Sequence, residues 1–168
     1  MNKKRLFGLL GKFKYNNGFL LMMLVITFLT IDLVSKLVVS NLMIVHDSIM
    51  VIKDFFYISY FRNTGGAWSI FSNQTWLLVF ASLIIICFLV FYIYKNKPKN
   101  KLEIFGYSLI LGGAFGNFLD RIIYGYVIDF LDFNIFGYNF PIFNLADTFI
   151  VLGVVLLIVY NWRCSVDV

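Results

Sequence analysis

Four long apolar runs divide the chain, at about 19–42, 76–94, 104–123 and 143–162. Each has about the 20 residues that a helix needs to cross a ~30 Å hydrocarbon core. Helices are the expected form, because lipid offers no partner to an open backbone N–H or C=O. Two polar-rich connections separate the runs on one side. The first includes "VIKDFFYISYFRNTGGAWSIF" (51–71), aromatic and rich in strand formers before it turns at Gly65 and Gly66. Its alternation is irregular, and it predicts short strands lying at the membrane interface. The second, 124–142, carries turn signals at Gly125, Gly137 and Pro141. The pattern predicts an all-α polytopic membrane protein: four transmembrane helices with a small β-containing extracytoplasmic segment, forming a single domain over 1–168. No internal repeat or low-complexity tract breaks it.

Composition agrees. Of 168 residues, 61% are hydrophobic and only 14% charged, far from the balance of a soluble domain. The net charge of +5 could suggest nucleic acid, but its distribution points to topology instead. Lys3, Lys4, Arg5, Lys12 and Lys14 precede the first run, Lys95, Lys97, Lys99 and Lys101 fill one short loop, and Arg163 follows the last run. These segments are expected on the cytoplasmic side, with both termini there. Asp47, Asp54, Asp129 and Asp132 then fall outward, and Asp32, Asp120 and Asp147 near outer helix ends. The basic segment 1–18 and the run after it resemble a signal peptide, but the run is too long and no A-x-A-like site follows. A retained cytoplasmic segment and membrane anchor are expected. Cys87 and Cys164 should sit at different depths, so no disulfide is expected.

Candidate chemistry lies in the polar residues that interrupt the apolar runs. Asp32 and Lys36 are four apart on one helix and can pair, either as a structural clamp or in contact with substrate. In "GGAFGNFLDR" (112–121), Gly112 and Gly116 are spaced for close helix approach. Asn117 and Asp120 share a face there, and Arg121 adjoins Asp120. Asp129 follows the third run. Asn144 and Asp147 open the fourth, three residues apart on one face. The 17 residues between Asp129 and Asp147 can bring the two acids together at the outer boundary. Two carboxylates in a poorly solvated site tend to hold one proton between them. One can then draw a proton from water while the other polarises a carbonyl, the chemistry of aspartic proteases. The alternative is two separate helix-capping or interfacial acids. His46 is the only histidine, so neither a Ser-His-Asp triad nor a multi-His zinc site is available. It reads as a loop residue, and Cys87 reads as packing. No phosphate cradle appears, and no metal or cofactor is expected. A small transporter or a purely structural protein are competing classes. The first would show repeated halves, and the second would need no outward cluster of acids and asparagines.

Five blocks, "DLVSK" (32–36), "RNTGGAW" (62–68), "GGAFGNFLDR" (112–121), "VIDF" (127–130) and "FNLAD" (143–147), in this order on four crossings, resemble the lipoprotein signal peptidase family, also called signal peptidase II. The resemblance covers roughly residues 25–155. It implies a bacterial inner-membrane aspartyl endopeptidase that cuts the signal peptide from a prolipoprotein just before a diacylglyceryl-modified cysteine. It places the catalytic pair on Asp129 and Asp147, with Asp120 as the rival. It places supporting positions on Asp32, Lys36, Asn63, Gly65, Asn117, Asp120, Arg121 and Asn144. The implied partners are the lipidated substrate and membrane lipids, with a monomeric enzyme and no nucleic acid. The substrate would enter sideways from the bilayer, and segment 55–71 would lie over the site and limit water. Two positions depart from the family pattern. Leu33 stands where glutamine is usual, and Gly66 where alanine is usual.

Overall fold

The computed structural model describes residues 17–66 and 70–166. The basic residues 1–16, and Ala67 and Trp68 of the second block, lie outside them. Four helices are long and apolar enough to cross a membrane: α1 (Asn17–Leu42), α2 (Thr75–Asn96), α3 (Lys101–Tyr124) and α4 (Leu145–Val166). α3 is the central helix. It buries residues from Ile104 to Asp120, whereas α2 buries only Ile86. α1 is apolar outward and charged inward, because its buried residues are Asp32, Lys36 and Val39. Such inversion suits a helix whose solvent is lipid and whose polar groups must find partners inside the bundle. Cys87 faces outward from α2, so it does not pack within the bundle as its sequence context suggests. α2 turns few of its residues inward, and an apolar surface beside lipid needs no burial.

Glycines set the helix spacing. A side chain at Gly112 would meet Phe28 and the α1 backbone, and one at Gly116 would meet the Asp32 carboxylate. Both residues of the expected pair therefore lie at close helix contacts. Gly113, not singled out by its spacing, faces the Ala146 carbonyl at the start of α4. Further down, Gly153 lies against the Gly106 carbonyl.

The two outward connections form one antiparallel sheet in the order β1-β2-β3-β4. Its strands are β1 (Ser48–Ile52), β2 (Phe56–Asn63), β3 (Val127–Ile135) and β4 (Tyr138–Asn139). β2 carries a bulge between Ile58 and Phe61 against β3, which places Ser59 and Tyr60 both among the buried residues. A bulge inserts an unpaired residue and breaks the period of two. This accounts for the irregular alternation in 51–71. β3 was foreshadowed only by turn signals around it, yet it is the longest strand. It leaves α3 through Gly125, whose left-handed φ of 77° and N–H to the Arg121 carbonyl close the helix. Ile128 and Phe130 then pack with Val39 and Tyr60 into the core beneath the sheet. Asp129, between them, points to the opposite face by strand alternation.

The glycine contacts generate a paired prediction. Gly113→Val should lower the thermal midpoint in detergent, corresponding to about 1–3 kcal/mol of overpacking, because a backbone carbonyl stands in the way. Gly66→Ala should leave it unchanged or raise it, since the nearest atoms to a new Cβ lie at 3.6 and 3.8 Å and the unfolded chain loses freedom.

Candidate active site

Asn144 caps α4. Its Oδ1 accepts from the Asp147 N–H at 3.0 Å, while Asp147 Oδ2 accepts from the Asn144 N–H at 3.3 Å. This reciprocal capping box delays the helix to Leu145 and aims the Asp147 carboxylate back over its own first turn. Asn144 Nδ2 donates to Asp129 Oδ1 at 2.7 Å and to Asn117 Oδ1 at 3.1 Å. Asn117 Nδ2 donates to Asp147 Oδ1 at 2.7 Å. The two acids are therefore bridged through two amides that hold each other. Asn63, at the end of β2, adds a further donor to Asp129 at 2.9 Å. Its own Oδ1 accepts from the Gly65 N–H at 2.9 Å.

A buried ionic layer backs this arrangement. Lys36 Nζ lies 2.7 Å from Asp32 Oδ2 and 3.0 Å from Asp120 Oδ2, and donates to Asn117 Oδ1 at 3.0 Å. Because Lys36 and Asn144 both donate to that oxygen, the Asn117 NH₂ must face Asp147. Asp32 Oδ1 accepts from the Ala146 N–H at 2.9 Å, one of the N–H groups at a helix start that has no partner within the helix. Asp120 Oδ2 lies 3.3 Å from the Ile128 N–H at the start of β3. Arg121 donates to the carbonyls of Gly65 and Asn117 at 3.0 and 3.3 Å. Its buried Nε has no partner among the described residues.

Asp129 and Asp147 line one cavity of about 650 Å³, together with Asn63, Asn117 and Arg121. Asp32, Lys36, Gly65, Asp120 and Asn144 are not among its lining residues, so they act on it through neighbours. The cavity also includes residues not named as site candidates from the sequence: Phe61, Val127, Phe140 to Phe143, Thr148 and Ile150 to Leu152. A signal for the last group existed. Val151 lies four residues beyond Asp147 and therefore on the same helix face. Val151 and Leu152 are 61% and 53% exposed, so one cavity wall belongs to the lipid-facing surface. Of segment 55–71, Phe61, Asn63 and Gly66 line the cavity, while Ile70 and Phe71 are exposed.

Asp129 is only 2% exposed. Burial pushes its carboxyl from the ordinary range up to about 7, and the nearby Asp147 adds to the rise. Hydrogen bonds from Asn63 and Asn144 and the charge of Lys36 oppose it. Among the described residues no three His, Cys, Asp or Glu side chains are grouped to hold a metal ion. His46 is exposed in the link after α1, at φ 76°. The site thus places two carboxyl groups on one cavity, one of them, Asp129, keeping its proton to higher pH than usual, behind an apolar wall.

Comparison with known proteins converges on one group. A family model described as signal peptidase (SPase) II matches residues 24–163. A lipoprotein signal peptidase of Halothermothrix orenii is 40% identical over 139 residues, covering 83% of this chain and 92% of the relative. One of Staphylococcus aureus is 42% identical over 128 residues, covering 76% and 78%. Two solved structures described as bacterial membrane enzymes, at 2.3 and 1.9 Å resolution, superpose with TM-scores of 0.81 and 0.76 at 36% and 38% identity. The first covers 88% of this chain and 90% of its own, and the second covers 84% and 91%. By sequence and by fold, the chain belongs to the signal peptidase II family, the membrane-embedded lipoprotein signal peptidases that cleave signal peptides from prolipoproteins.

Proposed function

We propose that the chain is an aspartyl endopeptidase that cleaves diacylglyceryl-modified prolipoproteins just before the lipidated cysteine, with Asp129 and Asp147 as its catalytic pair. One observation carries the reading. Acids from a strand and from a helix start line a single cavity, bridged by Asn117 and Asn144, and one wall of that cavity faces lipid. The substrate is itself a membrane segment carrying acyl chains. A lateral opening lets it present the scissile bond while its lipid stays in the bilayer.

The chemistry follows from the difference between the two acids. Asp129 keeps a proton up to near neutral pH, because burial, and after it the nearby Asp147, raise its carboxyl to about 7. Asp147 accepts hydrogen bonds from Asn117 and from the Asn144 N–H, at a helix start where negative charge is favoured, and it serves as the base. It removes a proton from water as the water oxygen attacks the scissile carbonyl carbon. Asp129 delivers its proton to the carbonyl oxygen. The tetrahedral intermediate then collapses: Asp147 gives its proton to the leaving amine as the C–N bond breaks, and a hydroxyl of the intermediate returns one to Asp129, which restores the single shared proton. Lys36 with Asp32 and Asp120 holds Asn117 in its working orientation. Arg121 and Gly65 fix the loop after Asn63. Both acids and both bridging asparagines come from the same chain, so the proposed chemistry needs no second copy. The basic residues around 1–18 and 95–101 support cytoplasmic termini, with the site near the outer face of the cytoplasmic membrane.

Cleavage of a lipidated prolipoprotein by the purified enzyme tests the assignment. Asp129→Asn and Asp147→Asn should each lose about 10²- to 10⁴-fold in rate while the protein still folds. Asp120→Asn should instead act through stability, since it removes a partner of a buried cation. Full activity in Asp129→Asn, beside an inactive but folded Asp120→Asn, would transfer the acid role to Asp120.

The pH profile provides a further check. The protonated Asp129 is the active form, so kcat/KM should fall as pH rises through about 7. Asn63 stabilises the ionised form of Asp129. Asn63→Ala should therefore shift the alkaline limb to higher pH, and a shift to lower pH would contradict the assigned proton.

A further inference from the structure

The hairpin joining β3 to β4 has an unusual tip. Its two loop residues are Phe136 and Gly137, both with positive φ, at 52° and 85°. A two-residue loop of this kind favours Asn-Gly, Asp-Gly or Gly-Gly, and a bulky side chain at positive φ is an outlier. The loop is braced nonetheless. Asn134 accepts from the Gly137 N–H at 2.8 Å and donates to Asn139 Oδ1 at 2.9 Å. On this stiff support Phe136 is 107% exposed, so no part of the fold shields its ring. Ile135 and Tyr138 beside it are exposed as well. No charged residue occurs from Phe133 to Ala146, although a hairpin projecting into water would normally carry some.

The surroundings identify what covers the ring. Phe140, Pro141 and Ile142, which continue from β4, line the same cavity as Ile150, Val151 and Leu152. Leu152 lies roughly 10 Å along α4 from its start, at 1.5 Å per residue, on the outward surface of a membrane-spanning helix. The return leg of the hairpin and a lipid-facing helix surface are thus two walls of one space. At the opposite edge of the sheet, strand β1 also exposes apolar residues, Ile49 to Ile52. We infer that the β3–β4 hairpin is a membrane-dipping finger, with Phe136 inserted among the phospholipid acyl chains beside the mouth of the cavity. The braced turn presents the ring at a fixed position, and the chargeless stretch behind it allows entry without burying an ion. Tyr138 would sit at the interface, where its polar tip meets headgroups. Membrane contact of this kind does not depend on which acids perform the cleavage.

Site-directed fluorescence tests it. Phe136→Cys, made with Cys87→Ser and Cys164→Ser, is labelled with an environment-sensitive dye, and the full chain is placed in phosphatidylglycerol and phosphatidylethanolamine vesicles. Doxyl groups on the upper acyl chain should quench the label by about twofold or more, as for an apolar interfacial element, and aqueous iodide should not. Quenching by iodide alone would place the ring in water. Resistance to both quenchers would mean that protein covers it, from a second copy or another partner. Either result overturns the inference. The same measurement at Tyr138→Cys guards against a disturbance specific to position 136, and there too a label reached only by iodide counts against insertion.

Discussion

A single buried ammonium organises the outer end of this bundle. Lys36 is 2% exposed and contacts Asp32, Asp120 and Asn117. Together these contacts reach the starts of two elements, α4 and β3. Asp32 holds the Ala146 N–H at the start of α4, Asp120 meets the Ile128 N–H where β3 begins, and Asn117 reaches Asp147. Breaking a buried ion pair by removing one partner costs about 3–5 kcal/mol. The penalty here would fall on the starts of both elements that carry the proposed catalytic acids. The close glycine contacts serve the same end, because Gly116 leaves room for the Asp32 carboxylate and Gly113 for the Ala146 carbonyl.

Amide logic then carries order from this cation to the acids. A carboxamide has distinct donor and acceptor ends, and each of the three asparagines uses both. Asn117 accepts from Lys36 and Asn144, which leaves its NH₂ for Asp147. Asn144 accepts from the Asp147 backbone, which leaves its NH₂ for Asp129 and Asn117. Asn63 accepts from Gly65 and donates to Asp129. Flipping any one amide would set donor against donor or acceptor against acceptor in its neighbour. The proposed catalytic geometry is therefore specified by connectivity as well as by packing.

Much of the architecture was legible in the sequence, because a helix in lipid announces itself by length and apolarity. The four helices follow the four runs closely, and α4 starts later than its apolar run only because Asn144 and Phe143 belong to the cap and the link. The strands were harder to read. β2 hides its period behind a bulge. β3 buries Val127 to Phe130 in succession, so it shows no alternation, and an acid in the middle of a buried run argues against a strand in ordinary terms. The acids and asparagines could be nominated by type and by family resemblance. Which of them reach the cavity depends on strand alternation and on the helix cap, and apolar spacing carries neither. The lipid-facing wall at Ile150 to Leu152 offered one cue, the i, i+4 spacing of Val151 from Asp147, but among so many apolar residues that spacing does not stand out as the edge of a hollow.

The i, i+4 placement of Asp32 and Lys36 bears on how the chain enters the bilayer. Inserted alone, an aspartate or a lysine costs about 2.5–3.5 kcal/mol near the middle of a membrane helix. α1 is made before α3, so neither Asp120 nor Asn117 is present when it partitions into lipid. The two charges can neutralise each other within that one helix, at the 2.7 Å contact they keep in the finished protein. The later arrival of α3 then adds partners to an existing ion pair and need not rescue two stranded charges. The same salt link that holds the mature site together thus doubles as a travelling counter-ion during membrane insertion.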